Sequence, residues 1–204
     1  PFAHENGNAM HCNQSLFSGE NNLFYDPEKD NGLSDTTLYY IGGLLEHARG
    51  MAAITNPIVN SYKRLKPGHE APTHIAWSTS SRSTLIRIPA ARGNTTRVEL
   101  RNPDPTANPY LVFAVMLRAG LEGIKNKTMP PAPINGNSHD AGQEGRKFPR
   151  DLQEAVEEMR KDTLIRETLG DHVFFSYIDA KQKEWDEYAA VVHDWEIRNY
   201  LGRF

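Results

Sequence analysis

Residues 82–101 read RSTLIRIPAARGNTTRVELR. Two short runs in this stretch, Ser83–Ile88 and Arg97–Arg101, read as strands, and the second alternates with period two. In the second, Val98 and Leu100 face one way while Arg97, Glu99 and Arg101 face the other. Arg87 lies on the first, with Arg82 just before it. One side is apolar and the other charged, which is the pattern of an antiparallel sheet carrying one polar face.

Working outward, Ile75–Ser78 reads as a further strand. So does Ala9–Leu16, with Ala9, His11, Asn13 and Ser15 on one side and Met10, Cys12, Gln14 and Leu16 on the other. Ser34 is placed to cap a helix with Leu38, Ile41, Leu44, Leu45, Ala48, Met51 and Ala52 at helical spacing, ended by Asn56-Pro57. Pro109 opens another, with Leu111, Phe113, Ala114, Leu117, Leu121 and Ile124 as its apolar residues. Met129–Pro149 is rich in Pro, Gly and Asn and reads as a long surface loop.

Beyond the loop the chain is helical. Asp151 caps a helix starting at Leu152. A second runs from about Asp171 to Ala190 on a stripe of Phe174, Tyr177, Ile178, Trp185 and Tyr188, and a short one ends near Tyr200. Strands and helices come in runs without βαβ alternation, so the expected class is α+β, an antiparallel sheet packed against helices. The expected organisation is a sheet and site core over 1–127, the loop over 128–150 and a helical tail over 151–204.

Bulk properties narrow the function. A formal net charge of −3 gives no electrostatic case for nucleic acid or an anionic membrane. No apolar run approaches the roughly 20 residues of a spanning helix. A mean hydropathy of −0.62 suggests a core only partly closed by this chain. The single cysteine, Cys12, rules out an internal disulfide and fits a reducing, cytoplasmic setting. The opening PFAHENGNAM lacks an initiator Met, has no signal-peptide pattern and starts in mid-pattern, so it is read as a cut within a longer chain.

Charged strand faces are often simply solvated, and that reading stays open for this one. Against it stands the choice of residue. Arg64, Arg82, Arg87, Arg97 and Arg101 fall within 38 residues, and arginine is the side chain for bidentate phosphate and carboxylate binding. They suit a ligand with several negative charges. His11 and Glu99 are candidate ligands of a divalent metal, or ordinary polar residues. One imidazole with oxygen donors suits Mg²⁺ or Mn²⁺ better than zinc. There is no P-loop, dinucleotide fingerprint or HExxH arrangement.

Three segments carry a family resemblance. NGNAMHCNQSLF resembles the NGSGMHxHxSL strand of glutamine synthetases, TNPIVNSYKRLKPGHEAP their NPxxNSYKRLxPGxEAP segment, and RSTLIRIPAARGNTTRVELRNPDPTANPYL their ATP-binding region. The match runs from about Asn6 to Lys127 and continues weakly through the tail. The family makes glutamine from glutamate, ammonia and ATP with Mg²⁺ or Mn²⁺. The resemblance implies that Asn6, Gly7, Arg64 and Arg101 contact glutamate and that His11 and Glu99 hold a metal beside the ATP phosphates. It further implies that Asn13 and Ser15 lie near ATP, Arg87 and Arg97 bind its phosphates, Arg82 reaches the transferring phosphoryl group, and Glu70 takes a proton from ammonium.

Asn13 departs from the family's common His and cannot carry charge. A branch of type I enzymes regulated by protein contact has the same HCN. No tyrosine lies between Tyr110 and Tyr177, so control by adenylylation is not expected. His69 stands where an aromatic residue is common. The resemblance also implies stacked hexameric rings, with the N-terminal domain, further metal-binding glutamates and a neighbouring subunit's loop completing the site upstream of residue 1. The 204 residues alone are therefore expected to be inactive. The alternatives are a ligase of the same fold using a polyamine, or a non-catalytic regulatory relative. The terminal WEIRNYLGRF reads as a packing helix, with docking of regulatory proteins the other reading.

Overall fold

A computed structural model describes residues 5–66, 71–134 and 146–203. Among these residues six short strands and six α-helices follow the order β1 (Cys12–Gln14), β2 (Phe17–Ser18), β3 (Asn21–Asn22), α1 (Asp35–Glu46), α2 (Ala52–Thr55), β4 (Trp77–Ser78), β5 (Ile86–Arg87), β6 (Val98–Leu100), α3 (Pro109–Asn126), α4 (Leu152–Lys161), α5 (Thr163–Ala190), α6 (Asp194–Tyr200). The class is α+β, as expected.

The main sheet has the order β1-β6-β5-β4, with β2 and β3 forming a separate hairpin. Register sets its two faces. Cys12, Leu100, Ile86 and Trp77 lie in one row across the four strands, and all four are buried. Asn13, Glu99, Arg87 and Ser78 form the next row, which points to the opposite face because side chains alternate. The charged face is thus one continuous polar row.

The β1–β6 and β5–β6 pairs are antiparallel, but β4–β5 is parallel. The expectation of a wholly antiparallel sheet is corrected there. The serine-rich turn between these strands is held by its own side chains: Ser78 Oγ accepts from the amides of Ser80 and Ser81 at 3.1 and 2.9 Å. Such local bonds take the place of a hairpin ladder.

The caps at Ser34 and Asp151 fall where the sequence places them, and Asn108 adds a third. Ser34 Oγ accepts from Thr37 N, Asn108 Oδ1 from Tyr110 N just ahead of Pro109, and Asp151 Oδ1 from Glu154 N. One expectation fails. The helix read from Ser34 to Ala52 breaks after Glu46, where His47 Nδ1 turns to Asp162 Oδ2 at 2.8 Å. On α3 the buried face is Val112, Val115, Met116, Ala119, Gly120 and Gly123. Phe113, Ala114, Leu117 and Leu121 are exposed. The inner face is chosen by close approach to α1: a Cβ on Gly43 would lie 2.1 Å from Ala119 O, and one on Gly123 2.2 Å from Tyr39 O. Only glycine permits that backbone contact.

The stretch expected as a surface loop is anchored at both described flanks. Ile134 N donates to Trp77 O, Trp77 Nε1 to Pro131 O, Ile75 N to Arg146 O and Phe148 N to Thr73 O, at 2.7–3.1 Å. The bond from Ile134 covers the outer edge of β4, which would otherwise present an unpaired carbonyl, and those at Ile75 and Thr73 pair the segment just before it. Phe148 is buried beneath them. One apolar cluster runs from Cys12 through α1, the sheet and α3 to Phe174 and Ile178 on α5. α5 bends at Gly170, whose φ is +72°, so its Asp171–Ala190 part holds its own direction against the core.

Candidate active site

β6 places Glu99 at the centre of the polar face, 5% exposed. Its Oε1 accepts from His11 Nδ1 and from Arg101 Nη1, each at 3.0 Å, and its Oε2 from Arg87 Nη1 at 2.9 Å. Arg101 is itself buried, and its Nε donates to Arg82 O at 3.0 Å. The charge of Glu99 is balanced on both oxygens, which is what permits a carboxylate at this depth.

Burial, and then the charge of Arg101, hold the His11 imidazole below its ordinary value in spite of Glu99. A carboxylate only accepts, so Nδ1 is the donor in the contact between the two.

Arg64 enters from the end of the 3-10 turn Val59–Lys63. It donates through Nη2 to Arg101 O at 3.1 Å and through Nη1 to Asn102 O at 3.3 Å. Burial pushes its guanidinium below the usual range; Arg101 adds to this and Asp104 opposes it. Asn102 is locked in turn by Asn56 and Thr55 through bonds of 2.8 Å. Gly7 lies against Arg64: a Cβ there would be 3.2 Å from its Cδ. A cleft of about 260 Å³ opens between them, lined by Asn6, Gly7, His11, Arg64, Ala71 and Arg101. Arg97 lies farther along the face, with Nε donating to Asn13 Oδ1 at 3.0 Å.

The structure thus gathers Asn6, Gly7, His11, Arg64, Arg87, Glu99 and Arg101 around one carboxylate and one cleft, with Asn13 and Arg97 adjoining in the same sheet. Ser15 and the Arg82 side chain are exposed, and among the described residues no hydrogen bond joins Ser15 to the group. Glu70 and His69 lie outside the described residues. Sequence reading missed the carbonyls of Arg82, Arg101 and Asn102. Backbone acceptors leave no mark on residue type, although the amide-rich Asn56 and Asn102 are a weak pointer.

His11 and Glu99 fit part of a divalent-cation site, one nitrogen and carboxylate oxygen. Among the described residues no group of three or more His, Cys, Asp or Glu converges to hold a metal. Arg64, Arg87 and Arg101 outnumber the one carboxylate, Glu99, at this face, and an excess of arginine suits a polyanionic ligand.

The family model for the glutamine synthetase catalytic domain matches residues 1–200. The chain belongs to that family. It is 56% identical to a glutamine synthetase of Methanosarcina mazei over 99% of its length, and 54% identical to one of Thermus thermophilus over its whole length. It covers 46% and 47% of those proteins, so this glutamine synthetase-family chain spans about half the length of the curated relatives it matches. A solved GmaS/ADP complex superposes with a TM-score of 0.90 at 35% identity, over 98% of this chain and 47% of that one. No helix among the described residues is long and apolar enough to cross a membrane.

Proposed function

We propose that the full-length protein joins ammonia to glutamate, with ATP converted to ADP and phosphate, and that this chain supplies the arginine-lined part of the site. The observation that carries the reading is Glu99 held by His11, Arg87 and Arg101 beside the cleft of Asn6, Gly7 and Arg64. The ADP named with the GmaS structure supports a nucleotide on this face.

A carboxylate is a poor acyl donor. A γ-carboxylate oxygen of glutamate attacks the γ-phosphorus, the bond to ADP breaks, and γ-glutamyl phosphate forms. Ammonia then attacks the acyl carbon and phosphate leaves. Glutamate and the triphosphate repel each other, so the chain must bring cations to both. Arg64 and Arg101 face the glutamate cleft, while Arg87 and Arg97, with Asn13 and Ser15, meet the nucleotide. Arg82 is positioned next to them in sequence to reach the transferring phosphoryl group. Glu70 takes the proton from ammonium. His11 and Glu99 would hold Mg²⁺ or Mn²⁺, which when bound adds charge neutralisation for the phosphates. Stacked hexameric rings, a cytoplasmic location and regulatory protein partners belong to the same proposal.

The test is turnover by the full-length enzyme with ATP, glutamate and ammonium. Glutamine and phosphate should appear in equal amounts. Arg82→Ala should lower kcat about 100-fold, the scale of losing one transition-state donor. A loss confined to KM for ATP overturns the role given to Arg82. Faster product formation with polyamines than with ammonium would replace the substrate assignment, and no ATP turnover at all would leave a non-catalytic relative.

A further inference from the structure

Asn22, at the end of β3, is 7% exposed. Its side-chain nitrogen donates to the carbonyls of Thr96 at 2.8 Å, Asn94 at 3.2 Å and Gly93 at 3.4 Å. Its side-chain oxygen accepts from Phe24 N at 2.9 Å. Both ends of the amide are in use, and three of its four bonds hold one short turn, Gly93–Thr95 with Thr96 as its last cap.

The same turn is held at its start. Arg92 donates through Nε to Asn31 O and through Nη1 to Pro89 O. The segment Asn22–Asn31 therefore grips the turn at two points, and the turn leads directly into Arg97. Gly93 takes a φ of +69°, a conformation the chain adopts without strain only at glycine. Arg97 by itself is loosely placed: Nε reaches Asn13 Oδ1 at 3.0 Å and Nη1 the carbonyl of Thr95 at 3.3 Å. Where its guanidinium lies depends on where the Thr95–Thr96 backbone is held.

We propose that Asn22 is a positioning residue for Arg97, fixing the backbone from which that guanidinium reaches the nucleotide side of the face. The inference rests on the phosphate-binding role proposed above for Arg97. A plain turn-closing role would weaken the fold and disturb both substrates alike. A positioning role disturbs ATP and spares glutamate, because Arg64 and Arg101 are anchored through other residues.

The discriminating variant is Asn22→Asp in the full-length enzyme. It keeps size and the acceptor for Phe24 N but sets a carboxylate against three carbonyls. KM for ATP should rise at least about 10-fold, since every bond that Asn22 donates to the turn is lost, with KM for glutamate changed less than about twofold. Asn22→Ser, which restores one donor and folds more readily, should show a smaller rise in the same direction. In a double-mutant cycle, Asn22→Ser should add nothing on an Arg97→Ala background, since residues acting as one unit are not additive.

Equal rises in both KM values, unchanged KM for ATP in both Asn22 variants, or additivity with Arg97→Ala would each overturn the inference. If Arg97→Ala itself leaves KM for ATP unchanged, the phosphate role of Arg97 fails first and the inference falls with it.

Discussion

Glu99 and Arg64 illustrate how single side chains make this face usable. Three donors meet the two oxygens of Glu99 at depth. Arg64 points into the cleft because two carbonyls hold its fork, leaving its direction fixed before any ligand arrives. Gly7 is the tolerance in that arrangement. A Cβ there would stand 3.2, 3.3 and 3.4 Å from Arg64 Cδ, Cβ and Cγ. Gly7→Ala therefore should push Arg64 by a few tenths of an ångström off its carbonyls. In the full-length enzyme it is expected to raise KM for glutamate about tenfold while KM for ATP stays within about twofold, as steady-state kinetics with each substrate varied would show. Equal effects on both would mean that Arg64 does not serve the cleft proposed for glutamate. The alternation through Arg97–Arg101 made Glu99 and the arginines legible from sequence, because a period of two leaves no choice of face. The fork of Arg64 was not legible, since its acceptors are main-chain oxygens.

Among the elements, local signals were legible and tertiary ones were not. Ser34, Asn108-Pro109 and Asp151 start their helices by chemistry contained within four residues. The end of α1 is different. Leu45, Ala48, Met51 and Ala52 keep helical spacing, yet the helix stops at Glu46 because Asp162, over a hundred residues away, receives His47. Asp162 also caps α5 through Oδ1, accepting from Leu164 N at 3.0 Å, and it packs so close to Gly50 that a Cβ there would lie 2.2 Å from Oδ2. One carboxylate thus ties the end of α1 to the α4–α5 junction. Burial opposes protonation of His47, but the hydrogen bond and charge of Asp162, with Glu46 and Glu122, raise its pKa above the ordinary 6.5. A raised folded-state pKa stabilises fully below about pH 6.5, the unfolded value, and the gain is lost as pH rises through the folded value. The stability gap between wild type and His47→Gln should therefore be widest near pH 6 and shrink at alkaline pH, read from thermal melts across that range. A gap that widens with pH would show that the ring is held neutral.

Across the whole molecule the tail is joined to the sheet by one apolar core, even though the sequence divides into a strand-rich part, a Pro/Gly-rich stretch and a helical end. The division is visible in the sequence because composition changes at Met129 and Asp151. The closure is not, because the bonds of Ile134, Arg146 and Phe148 to residues 73–77 pair segments whose residue types say nothing of partners. α5 shows the consequence. Phe174 is 2% exposed within the core, while its neighbour Phe175 is 46% exposed. Tyr177 of the same helix donates to Ala53 O at 2.8 Å, so the tail holds α2 as well as being held. Phe174→Ala should destabilise the full-length protein by about 3–5 kcal/mol, through lost transfer energy and the cavity left behind. Phe175→Ala, which empties no core, should cost under about 1 kcal/mol. Denaturant unfolding followed by far-UV signal and by residual activity separates two architectures. If the tail shares the core of the sheet, Phe174→Ala moves both curves to lower denaturant together. If the tail were an appended unit, the far-UV curve would split and activity would persist after the helices had melted.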